Sequence, residues 1–322
     1  MILRKLALLG SLTLILFSCA SDDSADVVVV PPRMLSEVAA EDDAEIREYL
    51  QTHFYNYEEF QSPPVDFDFK IVIDTIAGNN AGKTPLINQV SSKQVTVTND
   101  EFNLSDEESV AHTYYYFVAR EGLNEQPTVA DSVLVRYKGS LLDGFDFDGS
   151  FVNPIWFDLA AIQGPGQGAR GFSEAIPNFK IGGDVIDNGD GTVTVDGYGV
   201  GAMFIPSGLA FFNAIQTEIP AYSPLIFTID LFSFDTTDHD GDGIPSFLED
   251  VDGDGYLYND NTDLEQEQET TSLARFSDFL DADDDADGTP TRDEIEIDNE
   301  GNITFPDGDG DGVPDYRDRD NS

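Results

Sequence analysis

The last quarter of the chain repeats one spacing: aspartates at alternate positions, then a glycine and a proline, as in DHDGDGIP from Asp238. Carboxylates this close repel, and burying them unpaired costs several kcal/mol each. A chain with this pattern either folds around bound cations or stays a solvated, expanded spacer. The register favours cations. A twelve-residue calcium loop takes its ligands from positions 1, 3, 5, 7, 9 and 12, with glycine at 6 where the backbone turns sharply. Asp238, Asp240, Asp242, Gly243, Ile244 (through its carbonyl), Ser246 and Glu249 fall on that template. So do Asp283, Asp285, Asp287, Gly288, Thr289, Thr291 and Glu294, and again Asp307, Asp309, Asp311, Gly312, Val313, Asp315 and Asp318. A weaker copy has Asp250, Asp252, Asp254, Gly255 and Tyr256 but ends in Asn261, which carries no charge.

These loops lack the flanking helices of an EF-hand, because the one ending at Glu249 is followed at once by the one starting at Asp250. Pro245, Pro290 and Pro314 occupy position 8, where the EF-hand pairs through a backbone N–H that proline does not have. On these residues the segment 236–322 resembles the thrombospondin type 3 family of aspartate-rich calcium repeats, which implies cations in place of a hydrophobic core. Calcium suits the many crowded oxygen ligands better than magnesium does. With three histidines and one cysteine in the chain, no zinc cluster is expected. The competing reading is an acidic disordered spacer, expanded by self-repulsion.

The 63 acidic and 16 basic residues give a formal charge of −47, which argues against DNA or RNA as a partner because phosphate binding needs a basic surface. The single cysteine is Cys19. Ahead of it stand Arg4 and Lys5 and an apolar run from Leu6 to Phe17, too short for a stable transmembrane helix and right for a signal peptide over 1–19. Leu16-Phe17-Ser18-Cys19 resembles a bacterial lipobox, which implies cleavage before Cys19 and lipidation of its thiol. Each buried acyl CH₂ contributes roughly 0.8 kcal/mol, so two or three chains anchor firmly. Ala20 fits release to the outer membrane, and Ser21-Asp22-Asp23 resembles the acidic surface-export tag of Bacteroidetes lipoproteins. Residues 20–40, with Pro31-Pro32, read as an extended tether.

Residues 41–111 are expected to supply a helix and strands that pack on the next domain. DDAEIREYLQTHF places Ile46, Tyr49, Leu50 and His53 or Phe54 on one helical face. VDFDFKIVIDTI and KQVTVT alternate like strands around a loop, AGNNAGKTP. Gly82-Lys83-Thr84 lacks the earlier glycine of a phosphate loop.

Over 112–235 the pattern V-x-V-x-Y-x-G-x-L-x-D-G-x-x-F-D-x-S is carried by Val133, Val135, Tyr137, Gly139, Leu141, Asp143, Gly144, Phe147, Asp148 and Ser150. PIWFDL, GARGFSEAIPNFKIGG, GVGAMFIPSGLAFF and IPAYSPLIFTIDLFSF follow in order. In these blocks the chain resembles the FK506-binding-protein (FKBP) family of peptidyl-prolyl cis-trans isomerases. The resemblance implies an α+β fold, a curved antiparallel sheet wrapped on the short helix FSEAIPNF with a dry pocket between them. Carried over residue by residue, Tyr137, Phe147, Asp148, Phe172, Phe211 and Phe227 line that pocket, with Ile155, Ala169 and Ile219 at matching positions. Phe172 is its floor, and Asp148 pairs with Tyr137. Phe211 stands where the family has a tyrosine hydroxyl, and Ile155 where it has an aromatic. An additional hairpin, DVIDNGDGTVTVDGYG, turns at Asn188-Gly189-Asp190-Gly191 and is placed to cover or reshape the pocket. Its Asp187 and Asp190 are either a bare turn or a further cation pair.

The implied activity is isomerisation of X–Pro bonds in proline-containing polypeptides, by a lipid-anchored protein that assists the folding of exported chains and carries a calcium-ordered tail. No cofactor is needed for catalysis. The alternative is a non-catalytic binding or spacer lipoprotein that keeps the fold.

Overall fold

The computed structural model describes residues 31–320, apart from 103, 105–107, 165–167, 190–192 and 270–275. The expected signal peptide, Cys19, most of the tether and Asp190 lie outside the described residues. No helix among those described is long and apolar enough to cross a membrane.

Six strands build the central sheet: β1 (Ser91–Thr98), β2 (Ser109–Arg120), β3 (Ser132–Leu141), β4 (Asp146–Asp158), β5 (Gly199–Ile205) and β6 (Leu225–Asp235). Their order across the sheet is β1-β2-β5-β6-β3-β4, and every neighbouring pair is antiparallel. Register shifts at Val118/Arg120, Leu231/Ser233, Val135/Tyr137 and Gly139/Ser140 bend the strands locally. The fold is thus mixed α and β around an antiparallel sheet, as the sequence implies.

Side chains alternate across the sheet, and both faces are covered. Tyr114, Tyr137, Met203 and Phe227 face the short helix α3 (Arg170–Ala175) with its Phe172, whereas Tyr115, Phe117, Ala202, Phe204 and Ile226 face the other way. Central strand β5 is consequently buried at every residue. The second face is covered by α1 (Leu35–Thr52) through Ile46 and Leu50, while its Leu35 and Val38 join the first cluster; its buried Leu35, Val38, Asp42, Ile46 and Leu50 recur every three or four residues. Each such apolar side chain contributes roughly 1.5–3 kcal/mol when fully buried. The one buried carboxylate in that row has a purpose: Asp42 Oδ2 accepts from both the N–H and the hydroxyl of Ser207, each at 2.7 Å, pinning α1 to the turn after β5.

Three sequence expectations change here. The helix begins at Leu35, inside the segment 20–40 read as tether, because Leu35 and Val38 already belong to its buried stripe. His53 and Phe54 leave the helix for a short strand, His53–Tyr55, that pairs with Ile73–Thr75, all that remains of the strand expected from VDFDFKIVIDTI. A domain cut at 112 falls within β2 and strands β1 on the wrong side, although β1 is hydrogen-bonded along the length of β2.

The acidic tail has little regular structure, as expected, but it does not hang free. Thr237 donates to the Ala130 carbonyl at 2.5 Å, Leu257 N–H donates to Gln163 Oε1 at 3.2 Å, and the Arg170 guanidinium lies 4.3 Å from the Tyr256 ring. Leu257 and Phe279 bury against Ala130 and against Ala160 of α2 (Leu159–Gln163). A second apolar knot, Ile244, Ile295 and Tyr316, ties the calcium-type loops to one another. The acidic loops therefore have small apolar clusters beside them.

Candidate functional site

An aromatic cup forms where β3, β4 and β6 meet α3. Tyr137 from β3, Phe157 from β4, Phe172 from α3 and Phe227 from β6 contact one another, with Phe172 and Phe227 perpendicular at 5.2 Å and Phe157 and Phe172 perpendicular at 5.5 Å. Phe147, at the start of β4, stands edge-on to Phe227 at 5.8 Å. Edge-to-face packing of this kind aims positive ring edges at negative ring faces. Gly139 makes it possible, since a Cβ there would meet the Phe147 ring at 2.6 Å. At the cup's edge the Tyr137 hydroxyl donates to Asp148 Oδ2 at 2.5 Å, and Asp148 Oδ1 accepts from the Gly149 N–H at 2.8 Å. Burial, reinforced by the facing Asp148 carboxylate, holds the Tyr137 phenol above its ordinary value, so it remains a hydrogen-bond donor.

Of the pocket residues expected from sequence, Tyr137, Phe147, Asp148, Phe172 and Phe227 come together. Ile219 and Ala169 are buried in the same core, and Phe211 is half-buried against it but takes no part in the ring contacts joining the cup. Ile155 does not line the cup: it is 37% exposed. The reason is a jump in register, with Ile155 opposite Val135 but Ser150 opposite Tyr137, which expels residues 151–154 and leaves Ile155 at the foot of the excursion. Phe157, two residues on and opposite Val133, supplies the wall instead. Sequence reasoning missed it because the excursion cannot be counted from the motif alone. The additional hairpin exists, Val185–Asp187 paired with Val193–Val195. A groove of about 220 Å³ shares Tyr137 with the cup and is otherwise lined by Lys70, Arg136, Lys138, Phe151 and Asp230 among others.

The tail keeps the calcium-loop register with notable regularity. The position-6 glycines Gly243, Gly255, Gly288 and Gly312 all have positive φ, from 83° to 105°. In every loop the position-7 N–H donates to the position-5 carboxylate: Ile244 to Asp242, Tyr256 to Asp254, Thr289 to Asp287 and Val313 to Asp311. Behind Pro245, Pro290 and Pro314 a single helical turn follows, Ser246–Leu248, Thr291–Glu294 and Asp315–Arg317.

Among the described residues, carboxylate oxygens converge in five places. Asp250, Asp252 and Asp254 form one group, Asp283, Asp285 and Asp287 a second, and Asp307, Asp309 and Asp311 a third. Asp240, Asp242 and Glu249 form a fourth with a residue the repeat does not predict, Asp284. Asp263, Glu267 and Asp281 form a fifth that sequence spacing had no means of revealing. Asp238 serves its turn, accepting from Gly241 and Gly243 N–H. Asp318 stands outside the group of the last loop and accepts from Asp320 N–H. In the weak loop the uncharged Asn261 turns away to Glu267, and Asp260 approaches Asp252 in its place, with its Oδ1 taking the Asp252 N–H at 3.3 Å. Desolvation, then repulsion from neighbouring carboxylates, pushes Glu249 up to about 9 and Asp284 up to about 10. Glu294 rises to about 7 by burial and by the carboxylates of Asp285, Asp287 and Asp283. A hard cation bound by oxygen removes such a cost, so the donor set fits calcium.

A family model described as BamM C-terminal matches residues 239–306, which run from the first calcium-type loop to beyond the third. The FKBP-type peptidyl-prolyl cis-trans isomerase FkpA of Escherichia coli is 31% identical over 118 residues, covering 36% of this chain and 36% of the relative. FkpA of Aeromonas hydrophila is 26% identical over 190 residues, covering 58% of this chain and 60% of the relative. Among solved structures, a peptidyl-prolyl cis-trans isomerase from Pseudomonas syringae covers 38% of this chain and 74% of its own at 25% identity and a TM-score of 0.30. FkpA from Escherichia coli covers 62% and 61% at 22% identity and a TM-score of 0.32. The chain thus spans about a third of the length of the Escherichia coli relative and about three fifths of the Aeromonas one. Part of this chain is related in sequence, at modest identity, to FKBP-type peptidyl-prolyl cis-trans isomerases.

Proposed function

We propose that this protein is a peptidyl-prolyl cis-trans isomerase that assists the folding of exported polypeptides, held to a membrane by lipid on Cys19 and carrying a calcium-ordered tail. The observation that carries the enzymatic reading is the cup of Tyr137, Phe147, Phe157, Phe172 and Phe227 with the Tyr137–Asp148 hydrogen bond at its edge. Rotation about an X–Pro bond has a barrier of roughly 18–20 kcal/mol, because amide resonance resists twisting. The twisted amide separates less charge than the planar one, so an apolar site that strips water from it lowers the barrier. The aromatic rings would hold the pyrrolidine ring, and Asp148 would set the field beside the rotating carbonyl. No nucleophile is needed.

A non-catalytic reading draws on two observations. Phe211 brings no hydroxyl, and the cup's own rings are tightly shared, with Phe172 only 3% exposed. A protease-coupled assay on a proline tetrapeptide separates the two: the intact protein accelerates isomerisation and Asp148→Val or Phe172→Leu abolishes it. Absence of acceleration by the intact protein sinks the enzymatic reading and leaves a binding or spacer protein. For the anchor, mass spectrometry of the protein from a host that processes lipoproteins should find a diacyl or triacyl mass on Cys19, absent in Cys19→Ser. For the tail, calorimetry should record several calcium-binding events.

A further inference from the structure

In each strong calcium-type loop the residue at position 2 is turned away from its own ligands, and its backbone N–H is held by the side-chain oxygen at position 9. His239 is held by Ser246 Oγ at 3.2 Å, Asp284 by Thr291 Oγ1 at 3.2 Å, and Gly308 by Asp315 Oδ1 at 2.7 Å. Two of these residues, His239 and Asp284, carry side chains that reach beyond their own loops. In the first loop that side chain reaches the sheet domain, since His239 Nε2 lies 3.1 Å from Asp158 Oδ2. In the third loop it reaches the first loop.

We propose that one calcium ion is held jointly by Asp240, Asp242 and Glu249 of the first loop and by Asp284 of the third, so that the ion staples two repeats together. This rests on the calcium reading of the tail and goes beyond it, because a twelve-residue template assigns no ligand to position 2. Three observations carry it. Their ligand oxygens all lie within 4.8 Å of one another, and two oxygens on opposite sides of a calcium ion at about 2.4 Å stand about 4.8 Å apart. Glu249 and Asp284 are each 1% exposed, and both oxygens of both carboxylates are buried without a hydrogen-bond partner. Buried carboxylates with no donor are tolerated only beside a cation or as neutral acids. Finally, the two loops are also joined by apolar contacts, with Ile244 of the first in one cluster with Ile295 just past the third.

The test uses the full chain, calcium alone as the probe, and two readouts: calorimetric stoichiometry and hydrogen exchange followed by peptide. Asp284→Asn should delete one calcium event and abolish calcium-induced protection of residues 238–249, while residues 283–294, which keep Asp283, Asp285 and Asp287, remain protected. Glu249→Gln should delete the same event, and the double variant should lose no more than either single one. Asp309→Asn, in the last loop, should delete a different event. If Asp284→Asn binds as many ions as the parent and the first loop is protected as before, the shared site is wrong while the calcium reading stands. If the parent chain binds no calcium, both fall together.

Discussion

The sheet domain and the acidic tail solve the same problem with opposite materials. In the sheet domain a strand such as β5 disappears between two apolar layers, and its polar groups are spent in the hydrogen-bond ladder. In the tail the buried side chains include Asp242, Glu249, Asp284 and Asp285, and the buried apolar ones among the described residues shrink to Ile244, Ile295 and Tyr316 and to Tyr256, Leu257 and Phe279. The sheet's interior calls for no counter-ion. The tail's interior is a set of like charges, favourable only with a counter-charge. Where they meet, His239–Asp158 and Arg170–Tyr256 join them close in sequence to two cup residues, because Asp158 follows Phe157 and Arg170 lies two residues before Phe172.

That contrast is open to direct attack. The largest effect should come from chelation: with EDTA, hydrogen exchange across residues 238–320 should accelerate to near that of an open chain while β2, β5 and β6 stay protected. Equal protection with and without calcium would remove the distinction between the two regions. Next, Phe172→Ala should destabilise the sheet domain by about 3–5 kcal/mol, as loss of a buried phenyl does, with calcium stoichiometry unchanged. A parallel loss of calcium binding would mean that the regions fold as one unit.

A smaller change, Tyr137→Phe, removes the donor to Asp148 and should cost stability about 0.5–1.5 kcal/mol. If the hydrogen bond works in the transition state, kcat/KM should fall by about tenfold for each ~1.4 kcal/mol lost there, a fall read in the tetrapeptide assay beside the melting temperature. Smaller still is Ala286→Gly. Position 4 is glycine in the other three loops, and Ala286 is held there at a φ of 54°. Left-handed backbone costs an L-residue roughly 1–2 kcal/mol, so the glycine variant should melt higher in calcium, and a lower midpoint would contradict the strain.

The last prediction concerns pH and only the sheet domain. Burial raises Asp42 to about 6, against the opposing pull of its two bonds from Ser207. Because its folded value lies above the ordinary carboxyl value of 3.8, this group's contribution to stability is present in full below about 4 and is lost as pH rises through about 6. Thermal melts at pH 4.5 and 7.5 should therefore show a pH-dependent component that Asp42→Asn removes. An unchanged difference between the two pH values in that variant would reject the assignment.

What the linear chain determined about this protein is whatever depends on near neighbours. The calcium-loop register was legible because position 6 needs glycine, position 5 receives the position-7 N–H, and all of it lies within a dozen residues. The Tyr137–Asp148 pair and the rings of Phe147, Phe172 and Phe227 were legible through a family pattern that preserves their spacing. What only the tertiary structure decided is whatever depends on a register jump or on a contact between distant segments. Phe157 displaced Ile155 from the cup because four residues loop out of β4. Asp42 became an anchor because Ser207 lies opposite it. Asp284 met Glu249, and Asp263 and Glu267 met Asp281, because folding brings their loops together. A carboxylate carries no mark in sequence of which cation it will share, since that choice is made by distance in space.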